Sequence, residues 1–506
     1  MAFGDERVEN IVAVGIVDHR SARIWFRAER PGSYVLEVSG PGGALHGRTT
    51  AQISNGNATD NTTTVLYPGP GRDLAPLTRY DVKIASEDGL VFVGEAQFET
   101  APATPNDVPA TFSIGVFSCH QPFSSEGDLS ASSMRLLGQL PQYFQDNSVK
   151  FVLPVGDQIY ADEPGPFSLM SPLYGQQRWG KPLAQLSPRE MRAAFQERYR
   201  IFWNQRPWLK LLSSYPSYAI LDDHEVFDDW GSIAAHADEP YRTIIEAGRL
   251  AYLDYQGSRQ LPWGDGAAAP AALDYSFTYG TVATYVFDLR SERRLLPEPR
   301  VISDEQLARF EQFLAANRDA HVILAVTSVP LVHIPEWVTA LGEKLVGTGV
   351  DFPDHWSAPR NRANRDQVLT VIHDHLSRPE TRRQRFVVVG GDVHVGCAFT
   401  LRFVGGAKPL MYELTTSSVS NRIQGWHADA SMLGPESFAI TRRMANDKLD
   451  VSLLPAAEGR GQRNPTAELN AGIIECRRNG AQTNIRLKLL GPGNGGPSVD
   501  FESAWL

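Results

Sequence analysis

The pattern of apolar and polar residues changes character near residue 104. Before it, short stretches alternate: Ser21-Ala-Arg-Ile-Trp-Phe-Arg, Ser33-Tyr-Val-Leu-Glu-Val, Tyr80-Asp-Val-Lys-Ile and Leu90-Val-Phe-Val. Period-two alternation marks strands with one buried face, and the Gly, Pro, Asn and Asp clusters between them mark turns. Short strands at this spacing predict an all-β sandwich of immunoglobulin or fibronectin type over residues 1–104. The segment Ala101–Ala110 carries three prolines, which exclude helix and central strand, so it predicts a linker.

Over residues 105–506 the pattern is mixed α/β. Phe112-Ser-Ile-Gly-Val-Phe and Lys150-Phe-Val-Leu-Pro-Val are apolar runs, and residues 132–144 between them have helical spacing. That is a βαβ unit with parallel strands. Further strands are predicted at Tyr218-Ala-Ile-Leu, Thr284-Tyr-Val-Phe, Val322-Ile-Leu-Ala-Val and Phe386-Val-Val-Val. Helices are predicted over Ser187–Trp203, Ile244–Tyr255, Ser303–Ala316 and Arg365–Leu376, the third with a capped start at Ser303. Gly472-Ile-Ile-Glu-Cys and Thr483-Asn-Ile-Arg-Leu-Lys-Leu flank Arg-Asn-Gly, a hairpin signal. The Gly- and Pro-rich insertions Glu163–Leu186 and Gly425–Asn464 are candidates for shaping a pocket entrance.

Chemistry gathers where strands end. Four stretches do so: Ser118-Cys119-His120, Gly156-Asp157-Gln-Ile-Tyr160, Asp222-Asp223-His224-Glu225 and Gly391-Asp392-Val-His394. Sites in open α/β sheets form at carboxyl ends of strands, so these distant stretches can converge. Cys, Asp, Tyr and His at one point make a metal site. Each motif also has a plain reading. Asp157 fits a helix cap, Tyr160 a packing tyrosine, Cys119 a buried small residue and the acidic run a solvated turn. Against the last, three carboxylates within four residues repel unless a cation or solvent offsets them. Asp392 and His394 share one face if their strand continues.

The net charge of −10 argues against nucleic acid or an anionic membrane as a stable partner, but not against a small phosphate ester at a metal cluster. Three cysteines, Cys119, Cys397 and Cys476, give no disulfide framework and fit a reducing compartment best, though a disulfide-free exported protein has the same pattern. No stretch approaches the ~20 apolar residues of a membrane span. The N-terminus lacks a basic segment followed by an apolar run, so the chain as given is expected either to stay in the cytoplasm or to come from a precursor whose leader was removed.

Cys119, Gly-Asp-x-x-Tyr, Asp-Asp-His-Glu and Gly-Asp-x-His, in this order and spacing, resemble the PhoD-like alkaline phosphatases, a branch of the calcineurin-like metallophosphoesterases. Asp288-Leu-Arg290, Asp354-His-Trp356 with Arg362, and Tyr412-Glu-Leu-Thr-Thr-Ser extend the likeness over nearly the whole chain. The resemblance implies a four-layer α/β/β/α core, a centre of two or more metals and hydrolysis of phosphate esters. It implies Fe3+ with Ca2+, or in related enzymes Zn2+ or Mn2+. By the same resemblance Asp157 is the bridging carboxylate, Cys119 and Tyr160 bind the ferric ion, and His394 is a further ligand. Asp223 and Asp392 stand where relatives often carry Asn and His, and oxygen there suits calcium or another hard divalent ion. His224 is expected to contact substrate phosphate or protonate the leaving group. Arg290 has two readings, a contact to a phosphate oxygen through its fork-shaped donors and, at least equally, a salt bridge. Two features depart from the family: Asp228 and Asp229 occupy a stretch where Asn is common, and the usual export leader is missing.

The function expected is therefore metal-dependent hydrolysis of phosphate monoesters or diesters by a metal-activated hydroxide. The alternatives are a phospholipase D-like phosphodiesterase of the same family and a non-catalytic, metal-stabilised binding protein. No Gly-x-Ser-x-Gly elbow occurs, which counts against a serine hydrolase. The aromatics Trp179, Tyr199–Trp208 and Trp230 fit helix core better than a pocket for an apolar leaving group.

Overall fold

The computed structural model describes residues 3–4, 7–69, 72–346, 352–404, 409–421, 436–439, 448–480 and 482–506. Seven strands come first: β1 (Ile11–Val17), β2 (Ala22–Arg27), β3 (Gly32–Ser39), β4 (Leu45–Ile53), β5 (Thr62–Tyr67), β6 (Arg79–Ser86) and β7 (Phe92–Glu99). They form two antiparallel sheets, ordered β1-β2-β5 and β4-β3-β6-β7. Alternate residues of both, such as Ile24 and Phe26 with Leu36, Val82 and Ile84, fill a shared buried cluster. Fully buried Asp254 ties these strands to the helices that follow. Its backbone carbonyl accepts from Trp25 Nε1 at 2.8 Å, and its carboxylate takes Arg192 at 2.6 and 2.8 Å, Gln196 at 2.7 Å and Trp263 at 2.9 Å.

The rest of the chain runs β8 (Thr111–Phe117), α1 (Met134–Leu137), α2 (Leu140–Asp146), β9 (Val149–Pro154), α3 (Pro172–Trp179), α4 (Pro188–Phe202), α5 (Arg206–Ser214) and α6 (Tyr241–Tyr255). It continues with β10 (Tyr275–Tyr279), β11 (Val282–Val286), α7 (Asp304–Ala316), β12 (Val322–Val326), α8 (Glu336–Val346), α9 (Arg362–Leu376) and β13 (Arg385–Gly390). It closes with β14 (Cys397–Val404), β15 (Leu410–Thr415), β16 (Glu436–Ala439), β17 (Lys448–Leu453), β18 (Ala471–Asn479), β19 (Gln482–Gly491) and β20 (Ser498–Glu502). A five-stranded sheet is ordered β20-β19-β18-β8-β9, and an eight-stranded one β10-β11-β12-β13-β15-β14-β17-β16. β8 and β9 are parallel, as are β11, β12, β13 and β15 in turn. β18 and β19 form the expected hairpin.

Period two sorts the side chains. Val322, Leu324 and Val326 of β12 join Ile114, Val116 and Leu153 in one cluster. The intervening Ile323 and Ala325 join Phe310 and Leu314 of α7 and Leu369 and Ile372 of α9 in another. Residues of α4 and α6, including Phe195, Tyr199 and Tyr255, pack with Phe117 and Val152 in a third. Tyr199, Trp203, Trp208 and Trp230 are buried there, in the core role. The Ser303 hydroxyl caps α7 by accepting from Gln306 N at 3.0 Å. No helix among the described residues is long and apolar enough to cross a membrane. Of the second expected insertion, residues 425–435 and 440–447 lie outside the described residues.

Two expectations need correction. Tyr218–Leu221 runs parallel to β9, with Val152 N bonded to Pro216 O at 2.9 Å and Tyr218 N to Val152 O at 3.0 Å, yet forms only isolated bridges. The next ladder bond needs an N–H from residue 154, which is proline and has none. β13 stops at Gly390 and does not carry Asp392 and His394 on one strand face. Val393 N turns back to Gly391 O at 2.8 Å, and Asp392 and His394 have φ of +64° and +55°.

Candidate metal centre

Cys119, Asp157, Asp392 and His394 follow directly on β8, β9 and β13, and Asp222 and Asp223 follow the segment beside β9. The approach of these ends requires glycine. A Cβ on Gly156, which has φ +93°, would lie 2.6 Å from Asp222 Cβ, and one on Gly391 would lie 2.6 Å from Val155 O. Cys119, Asp157, Asp392 and His394 all sit in the left-handed region, which disfavours side chains other than glycine. Backbone strain concentrated in one place accompanies function more often than chance folding.

One half of the centre is rich in oxygen. Asp157, Asp222, Asp223 and Asp392 each bring a carboxylate oxygen into a group whose members all lie within 4.8 Å of one another. Asp157 and Asp223 belong also to a second such group with His224, and Asp223 to a third with Asp228 and Asp229. The other half is mixed. Asp157 Oδ2 lies 3.3 Å from both Cys119 Sγ and Tyr160 OH, and Tyr160 OH lies 3.1 Å from His394 Nε2. Asp157 is thus the residue common to both halves.

Electrostatics make the carboxylates uncomfortable together. Burial, then the charge of Asp222, pushes Asp157 well above the usual carboxylate range, and burial, then Asp222 and Asp223, does the same to Asp392. Asp222 is pushed up to about 7 by burial, with Arg290 opposing. Burial likewise raises the Cys119 thiol and the Tyr160 phenol, each further raised by Asp157. Asp157 Oδ1 and Asp222 Oδ2 are buried and have no hydrogen-bond partner in the protein. Two partnerless carboxylate oxygens in a cluster of like charge fit a cation, which would satisfy the oxygens and reverse the shifts.

A family model described as PhoD-like phosphatase matches residues 114–456, more than half of the chain. The chain belongs to the PhoD-like phosphatase family. It is a hydrolase acting on phosphoester bonds, and its cluster of acidic residues could bind a metal. Two solved structures share the fold. One is that of PhoD, at 14% identity and TM-score 0.65, covering 99% of this chain and 89% of that one. The other is purple acid phosphatase PPD1 from yellow lupin (Lupinus luteus) seeds, at 11% identity and TM-score 0.53, covering 99% and 74%. No curated protein sequence matches the chain.

In this PhoD-like phosphatase His224 stacks on Tyr160, with ring centroids 4.1 Å apart. Its Nδ1 faces Asp162 Oδ1 at 2.8 Å, and its Nε2 lies 3.8 Å from Asp228 Oδ1. Burial opposes a charge on the ring, but Asp162 and Asp223 prevail and raise its pKa well above the ordinary imidazole value.

Arg290 takes the salt-bridging reading rather than the phosphate contact. It is buried, with Nε 2.7 Å from Asp222 Oδ1 and Nη1 and Nη2 each 2.8 Å from Asp354. Its fork is taken up by carboxylates, because two buried acids hold a buried guanidinium strongly. Asp354, which also meets Arg293 and Ser232, is held below the usual range: burial would raise it, and Arg290 and Arg293 outweigh burial.

His120, beside Cys119, stands apart from the centre. It stacks on Trp208 at 4.3 Å, bonds Ser420 Oγ and Phe202 O, and is pushed down to about 4 by burial, which keeps it neutral. Sequence reasoning quoted Asp222, Glu225 and, at the end of Tyr412-Glu-Leu-Thr-Thr-Ser, Ser417 without giving them roles, and missed Asp162 and Asn421. Ser417 Oγ lies 2.9 Å from Cys119 Sγ, and Asn421 Nδ2 lies 3.3 Å from His394 Nε2. For Asp162 the signal was its place two residues after the Gly-Asp-x-x-Tyr run. Asn421 is a common residue type in a loop and carried none.

Proposed function

We propose that this enzyme hydrolyses phosphate monoesters, diesters or both at a centre of at least two cations. Cys119, Asp157, Tyr160 and His394 would hold one, and Asp157, Asp223 and Asp392, with Asp222, the other. A thiolate and a phenolate suit Fe3+, and the all-oxygen set suits Ca2+, with Zn2+ or Mn2+ as alternatives. The observation that carries this reading is the four-aspartate group with its partnerless buried oxygens.

When bound, the cations would supply a hydroxide at neutral pH, lowering the pKa of water from 15.7 to roughly 7–9, and would offset charge on the phosphoryl oxygens. The chain's own residues orient the reaction. Asp162 fixes the His224 ring through Nδ1, so Nε2 is the nitrogen that can give a proton to the leaving oxygen. Arg290 neutralises part of the Asp222 charge and holds that carboxylate in place. We read the three clusters around the two larger sheets as a four-layer α/β/β/α core. The strands before residue 104 then form an immunoglobulin- or fibronectin-like sandwich, and residues 105–506 the catalytic domain.

The test compares wild type and Asp223→Ala, both metal-loaded, on p-nitrophenyl phosphate and its bis ester. The account expects turnover of at least one ester by wild type and a loss of at least about 100-fold in the variant. Undiminished turnover by Asp223→Ala would sink it.

A further inference from the structure

Glu225 is fully buried, and the chemistry above does not use it. Its carboxylate accepts four hydrogen bonds, all from neutral donors. Oε2 takes Asp157 N at 3.1 Å and Asp222 N at 2.9 Å, while Oε1 takes Gln158 N at 2.7 Å and Gln256 Nε2 at 3.1 Å. A single oxygen therefore gathers the backbone amides of two separate turns. Those turns bear the two carboxylates whose outer oxygens lack protein partners. They meet where Gly156 passes within 2.6 Å, measured from an added Cβ, of Asp222 Cβ.

We infer that Glu225 is a positioning residue of the metal centre: its carboxylate sets the separation and orientation of Asp157 and Asp222. The inference rests on the reading that those aspartates hold cations. The geometry supports it: one carboxylate oxygen bonded to both the Asp157 and Asp222 amides fixes the distance between the two turns. Partners that orient metal ligands are typically worth 10- to 100-fold in metal affinity.

The test uses the full chain as wild type, Glu225→Gln and Glu225→Leu. Each is stripped with a chelator and titrated with Mn2+ by calorimetry, and its melting temperature is read with and without Mn2+. Glu225→Gln keeps one oxygen for the Asp157 and Asp222 amides, and Glu225→Leu keeps none. The inference expects Glu225→Leu to bind Mn2+ 10- to 100-fold more weakly and to lose most of the Mn2+-induced rise in melting temperature. Glu225→Gln should recover a large part of both. Equal affinity in wild type and Glu225→Leu overturns the inference. So does an equal loss in both variants that follows a lowered metal-free melting temperature, since that is plain core damage. Should Glu225→Leu fail to fold, Glu225→Asp decides, since its shorter side chain keeps the charge and withdraws the oxygen from the two amides. Weaker Mn2+ binding with an unchanged metal-free melting temperature supports the inference, and unchanged binding overturns it. A wild type that takes up no Mn2+, Ca2+ or iron overturns the metal-centre reading instead.

Discussion

Replacing Glu413 by Gln should change how stability depends on pH. Glu413 lies in β15, fully buried, and accepts Leu331 N at 3.1 Å and Val332 N at 3.4 Å. The loop it holds also carries Ser328, whose hydroxyl donates to Asp222 Oδ1 at 2.9 Å and whose carbonyl accepts Gly391 N at 2.8 Å. Burial raises Glu413 from 4.5 to about 8, against the two amides. Below pH 4.5 the carboxyl is protonated in both folded and unfolded chains. Between 4.5 and 8 the unfolded chain has lost the proton and the folded one keeps it. The folded state therefore loses about 1.4 kcal/mol for each pH unit of rise in that window, roughly 5 kcal/mol in all. Gln copies the neutral acid and cannot titrate. Urea unfolding of metal-free wild type and Glu413→Gln at pH 5.5 and 7.5 isolates this group, because other titrations are common to both chains. The gap between them should move by about 3 kcal/mol in favour of Glu413→Gln at the higher pH. A gap that stays constant refutes the reasoning.

Asp254→Ala should lower stability by about 3 kcal/mol, because it strips partners from the half-buried Arg192 and from Trp263; denaturant melts check it, and a loss below about 1 kcal/mol contradicts the role. Gly156→Ala should destabilise the protein by about 2 kcal/mol or more and weaken metal binding, since its Cβ would press on Asp222. Normal melting and metal content in Gly156→Ala would show that the strand ends do not meet as described.

Much of the fold is written in the apolar runs. Phe386–Val389 and Val322–Val326 are continuous, fully buried and parallel, and such strands need no finer signal than the run itself. The Tyr218 segment misled because its fate depends on Pro154 in a neighbouring strand, a non-local fact. The convergence of Cys119, Asp157, Asp223, Asp392 and His394 was legible from their places at strand ends. The turn at Asp392 was not, because a run of valines does not announce where pairing stops. Arg290 carried two readings, and the fold selects the salt bridge. Its spacing from a strand was visible, but Asp354, its partner 64 residues away, is brought to it only by the fold.

The central claim is that side chains from separate strand ends hold at least two cations together. Elemental analysis of purified wild type and Asp157→Asn, with visible absorption spectra, tests it directly. The account predicts at least two cations per wild-type chain, a visible charge-transfer band from the Tyr160 phenolate if iron is among them, and loss of bound metal in Asp157→Asn, because Asp157 belongs to both halves. Wild-type metal content in Asp157→Asn, or fewer than two cations in a fully active wild type, would contradict it.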